Sequence, residues 1–141
     1  MTGVPAVPRV AVGGIALRRG HILLVRRATP PAQGMWSLPG GHVELGEDLR
    51  SAVVRKVREE TALGVVVRRF VDWTERIDLV ADLPYHFVIL DFLVDVEDAD
   101  AEPVAGSDAA EAAWVPFDDL DTYTLTEGLV DFLTDHGLLS A

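Results

Sequence analysis

The stretch Trp36–Leu63, WSLPGGHVELGEDLRSAVVRKVREETAL, limits the possible folds more than any other part of the chain. Pro39, Gly40, Gly41 and Gly46 exclude a helix from its first half, because glycine and proline break periodic structure and glycine permits tight turns. The second half is free of both, and Asp48 is placed to cap a helix by accepting backbone N–H bonds. At about 100° per residue, Val53, Val54 and Val57 share the side assigned to the core. Lys56, Glu59 and Glu60 point another way, with Arg55 flanking Glu59. The expectation is a glycine-rich loop that runs into a helix with a carboxylate-bearing polar side.

Crowded carboxylates repel unless a positive charge sits among them. A hard cation such as Mg²⁺ takes oxygen ligands and often links a few carboxylates to substrate phosphates. Glu44 and Glu47 in the loop, with Glu59 and Glu60 on the helix, are candidates to converge on such an ion. The plainer alternative is a solvated acidic face closed by an Arg55–Glu59 pair at i,i+4, worth a few tenths of a kcal/mol. Spacing alone leaves the two open.

The same stretch resembles the signature of the Nudix hydrolase family, the Nudix box. That pattern reads Gly, five residues, Glu, seven residues, Arg-Glu, an aliphatic, any residue, Glu-Glu, any residue, Gly, an aliphatic. Gly41, Glu47, Arg55, Val57, Glu59, Glu60 and Leu63 stand at the matching positions, and so long a match is specific. Two positions depart: Lys56 stands where the family has Glu, and Ala62 where it has Gly. Ala is a poorer helix end than Gly but is tolerated. The change at 56 reverses a charge beside Glu60, at a position where the resemblance implies a metal ligand and, in some members, the general base. Lysine is a poor base at neutral pH unless its pKa is strongly depressed.

The resemblance implies an α/β fold, a Nudix-like α/β/α sandwich with a mixed sheet between two main helices. It also implies hydrolysis of a diphosphate linkage in a nucleoside diphosphate derivative (a nucleoside triphosphate, an ADP-ribose-like compound or a nucleotide sugar) with Mg²⁺ or Mn²⁺ as cofactor. Carried over residue by residue, Glu59, Glu60, Arg55 and Glu47 form the catalytic set, and Glu59, Glu60 and the Gly40 carbonyl are the metal ligands. Arg26, Arg27, Trp36 and Lys56 are substrate-binding candidates. Because Lys56 removes one candidate base, Glu111 and Glu127 are alternatives. Tyr85 is a second candidate for stacking on a nucleobase, and His42 lies in the box loop within possible reach of a phosphate. The competing function is a catalytically weakened or inactive domain that binds nucleotides; a third is a fold kept for oligomerisation or partner contact.

The rest of the chain sets the frame. Its 141 residues are expected to form a loose arm over 1–8 and a single domain over 9–141. Apolar residues make up 49 %, which argues against disorder. The absence of cysteine excludes disulfides and thiolate chemistry. A net charge of −11 argues against binding a nucleic acid polymer and suits a small anionic substrate only with a cation present. No apolar run is long enough to span a membrane, and the first residues lack the features of a signal peptide, so a cytoplasmic protein is expected. A homodimer is compatible with the sequence but not required by it.

Strands are expected over Arg9–Leu17 and His21–Arg26, joined by a turn at Arg18–Gly20, with Gly13 and Gly14 marking a bulge or close backbone approach. Further strands are expected at Trp36–Leu38, Val65–Asp78, Tyr85–Val96 and Ala112–Phe117, and an amphipathic helix from Leu125 to Leu133. Asp91 falls inside an apolar strand, where an exposed strand end or ordinary hydrogen bonding is the expected way of accommodating it.

Overall fold

The computed structural model describes residues 7–139. The arm expected over 1–8 therefore falls mostly outside the described residues. Val10, Val12 and Ile15 in β1 (Arg9–Arg18) and the continuous apolar run Ile22–Val25 in β2 (His21–Arg27) favour extended chain, and both strands are buried through their middle. Arg19 and Gly20 connect them, both with positive φ, the geometry of a tight two-residue hairpin. Two short strands, β3 (Trp36–Ser37) and β4 (Gly40–His42), lead into α1 (Leu49–Thr61). Then come β5 (Val65–Asp78), β6 (Tyr85–Val96), β7 (Ala109–Pro116), a short 3-10 helix at Phe117–Thr122, and α2 (Leu129–Asp135).

The strands form a seven-stranded mixed sheet. β1 pairs in parallel with β6 and antiparallel with β4, and β6 continues antiparallel to β5. The tip of β1 pairs with β2, which carries β3 on one side and β7 on the other. Two apolar clusters lie on opposite sides. One joins Val53 and Val57 of α1 to Val12, Ala16, Phe92 and Val94. The other joins Leu129 and Leu133 of α2 to Ile15, Ile22, Leu24 and Val115. This is the expected α/β arrangement, and each fully buried valine or leucine contributes about 1.5–3 kcal/mol relative to exposure.

The ends of α1 follow its sequence. Asp48 Oδ1 accepts the Ser51 N–H at 2.8 Å, and Ala62 closes the helix in the left-handed region, φ 64°, its N–H donated to the Arg58 carbonyl. The glycines of β1 serve close approach rather than a bulge. A Cβ on Gly14 would meet Val57 Cγ2 at 2.9 Å, and one on Gly13 would collide with Asp91 Oδ1.

Three expectations need correction. β4 was not foreseen, because a Gly-Gly-His strand has no side-chain pattern; its register against β1 is set by backbone pairing, Gly41 opposite Val12 and Gly40 opposite Gly13. The last helix begins at Leu129, not Leu125: residues 124–126 exchange backbone hydrogen bonds with Trp36 in extended form, and Gly128 turns the chain at φ 81°. Asp91 is not at a strand end, and its side chain has no hydrogen bond among the described residues. It lies mid-strand in β6 at 5 % exposure, and burial raises its pKa to about 7.

Candidate active site

The site forms where the glycine corner crosses β1 and meets the polar side of α1. A Cβ at Gly40 would overlap the Val12 carbonyl, so only glycine allows the corner this close. The approach brings the Gly40 N–H to Glu60 Oε1 at 2.9 Å. Glu60 is 5 % exposed. Burial raises its pKa, while the Gly40 N–H and the nearby Lys56 and Arg27 charges act in the opposite direction.

Arg55 ties the loop to the helix. Its Nε and Nη2 grip Glu47 at 2.7 and 2.9 Å, the paired geometry that makes arginine–carboxylate contacts strong. Nη2 also donates to the His42 carbonyl at 3.1 Å, and Nη1 donates to Glu59 Oε1 at 2.7 Å. Glu44 lies 3.6 Å from Nη1. Glu47 further accepts the Glu44 N–H at 3.1 Å. These bonds, that from Arg55 foremost, hold the Glu47 pKa down at about 2, and the same contacts raise that of Arg55.

Lys56 points inward from the same helix and is 9 % exposed. Its stem passes against Gly41, where an added Cβ would collide with Cε and lie 3.0 Å from Nζ. Nζ stands 3.7 Å from Glu60 Oε2, an ion pair longer than a hydrogen bond. The spacing foretold the Lys56–Glu60 proximity but not this fit between Lys56 and Gly41. His42 packs edge-on against Phe87, 5.0 Å between centroids, and its Nδ1 is sealed from solvent with no hydrogen-bond partner among the described residues. Burial, then the charges of Arg9, Lys56 and Arg27, lowers its pKa.

The other candidates divide by position. Arg27 is near enough to act electrostatically on both Glu60 and His42, and its Nε donates to the Pro31 carbonyl at 2.6 Å. Arg26 instead pairs with Glu111 at 2.6 Å across β2 and β7. Trp36 sits edge-on to Tyr123 at 5.1 Å, in the cluster under α2. Tyr85 stacks on Phe87 at 4.9 Å. Glu127 is exposed ahead of α2, and its backbone carbonyl accepts from Arg76.

The donor set suits a cation that substrate helps to hold. Among the described residues no three His, Cys, Asp or Glu side chains form a ready-made cage. Glu60 lies against the Gly40 backbone and Glu59, the residue before it, is held by Arg55; two carboxylates are the usual protein share of a Mg²⁺ site completed by phosphate and water.

The described residues include no helix long and apolar enough to cross a membrane. The NUDIX domain model matches residues 7–135. The chain is 38 % identical over 113 residues to a Methanocaldococcus jannaschii protein named ADP-ribose pyrophosphatase, covering 80 % of this chain and 64 % of that one. It is 27 % identical over 138 residues to a Klebsiella pneumoniae protein named nucleoside triphosphatase NudI, covering 93 % and 98 %. Its fold superposes on the crystal structure of a MutT NUDIX hydrolase from Burkholderia pseudomallei with a TM-score of 0.76 at 28 % identity, over 91 % of this chain and 97 % of that one. With the box residues gathered at one corner of the matching fold, the chain belongs to the Nudix hydrolase family.

Proposed function

We propose that the protein hydrolyses a diphosphate linkage in a nucleoside diphosphate derivative with the help of a divalent cation. Nucleoside triphosphates and ADP-ribose-like compounds are the first substrates to test, in keeping with the names of its relatives, and nucleotide sugars follow. The observation that carries the reading is the Arg55 clamp, which fixes Glu47 and Glu59 beside the buried Glu60. A chain of net charge −11 repels polyphosphate unless cations intervene, and this is where they would be held.

Glu59, Glu60 and the Gly40 carbonyl are the groups that would hold Mg²⁺ or Mn²⁺. Such an ion neutralises phosphate oxygens and lowers the pKa of bound water. Arg55 is a positioning residue: it orients Glu59 and, through Glu47, the loop. Glu59 Oε2, 3.4 Å from Arg55 Nη1, is less tightly held than Oε1 and is the oxygen left to face the ion. Arg27 and Lys56 supply positive charge toward the phosphates. Glu111 is engaged by Arg26 and Glu127 is exposed, so neither is given the role of base.

A second reading, a nucleotide-binding domain with weak or no turnover, is favoured by Lys56 at a position where the resemblance implies a catalytic glutamate. The test is phosphate release and product analysis over nucleoside triphosphates, ADP-ribose, nucleotide sugars and dinucleoside polyphosphates with Mg²⁺ or Mn²⁺. EDTA and Glu60→Gln serve as controls. Turnover abolished by both supports the hydrolase. Nucleotide binding by calorimetry without turnover supports the second reading.

A further inference from the structure

We propose that the Lys56 ammonium is a resident cation of the site, standing in for a divalent ion and contacting substrate phosphate directly. The inference rests on the reading that polyphosphate binds beside Glu59 and Glu60, but not on turnover. Lysine on a helix ordinarily extends its charge into water. Here the side chain runs inward along Gly41, and the residue is more than nine-tenths buried. Any side chain at 41 would occupy the path of its stem.

Among the described residues the ammonium donates no hydrogen bond. Its nearest acidic atom, Glu60 Oε2, is 3.7 Å away, beyond hydrogen-bond range. Glu60 Oε1 is meanwhile taken by the Gly40 N–H. Arg55, the neighbouring cation, is by contrast saturated by Glu47, Glu59 and the His42 carbonyl. Lys56 is thus a charge held at the acidic cluster with three N–H groups to offer, and an anionic phosphate oxygen is the acceptor its charge and donors suit. Because that ammonium already offsets Glu60, a divalent ion entering the cluster meets a weaker field than three carboxylates would create.

The inference separates ion loading from catalysis. Mn²⁺ binding is measured on the whole protein by calorimetry and by electron paramagnetic resonance of free Mn²⁺, without substrate. Inorganic pyrophosphate binding is measured by calorimetry in EDTA. The expected results are at most one weak Mn²⁺ per wild-type chain and measurable pyrophosphate binding without metal. Lys56→Glu should gain one Mn²⁺ equivalent and bind it at least tenfold more tightly. Lys56→Met, which keeps the buried stem without the charge, should lose at least tenfold in metal-free pyrophosphate affinity, and this arm decides the matter if Lys56→Glu does not fold. Equal Mn²⁺ stoichiometry and affinity in folded wild type and Lys56→Glu would overturn the inference. So would metal-free pyrophosphate binding that is absent or insensitive to Lys56→Met. Failure of the hydrolase reading appears separately, as lack of turnover with these binding results intact.

Discussion

Asp91→Asn should make the protein more resistant to unfolding at neutral pH, and the gain should depend on pH in a defined way. Asp91 lies in the middle of β6 with no hydrogen bond from the described residues, and burial raises its pKa from 3.8 to about 7. The folded state therefore keeps its proton up to about pH 7, whereas the unfolded chain loses it near pH 4. Between those values the folded state binds more protons, so the contribution of Asp91 to stability falls as pH rises and levels off above about 7. At about 1.4 kcal/mol for each tenfold change in proton affinity, the total is about 4 kcal/mol; relaxation around a charged carboxylate would leave roughly half of that measurable. Asparagine fills the same space and does not titrate. Urea unfolding of both proteins at pH 4.5, 6 and 8 gives the comparison, and the advantage of Asp91→Asn should grow by about 2–4 kcal/mol across that range. A difference between the two that stays constant with pH would refute the reasoning, since a packing effect alone does not titrate.

Three further substitutions test the backbone around the site. Ala62→Gly should stabilise the protein by about 1 kcal/mol, because Ala62 holds a left-handed φ of 64° that costs a side chain and not glycine; the urea midpoint should rise with an unchanged slope. Gly40→Ala should cost about 3 kcal/mol by driving a Cβ into the Val12 carbonyl, while Gly46→Ala, with φ of 83° and open space around it, should cost only about 1 kcal/mol. Similar losses in these two variants, measured in the same urea experiment, would mean that the crossing at Gly40 is not tightly packed.

What could be read in advance followed local rules. The limits of α1 were legible because Asp48 is a side-chain cap, and the Val53–Val57 side because helical periodicity carries it. The Arg55–Glu59 and Lys56–Glu60 neighbours follow from i,i+4 spacing alone. The bond from Gly40 to Glu60 and the path of Lys56 along Gly41 depend instead on how a distant strand crosses the helix, and no local pattern encodes that. Leu125 misled for a related reason. Its apolar spacing continues that of α2, yet the chain around it pairs with Trp36, a long-range partner that periodicity does not register. The burial of Asp91 likewise depends on which strands flank β6.

The guanidinium of Arg55 has a mechanical consequence. Swinging the 43–48 segment away from α1 would break both bonds to Glu47 together and uncover the charges they satisfy. Loop and helix therefore travel as one piece, and the Glu47 side of the site keeps its shape. The connection before β7 is fastened in the same manner, Arg18 donating to the Ala99 and Ala101 carbonyls and pairing with Glu102, whereas among the described residues the 79–84 turn of the β5–β6 hairpin is held by Asp78 alone.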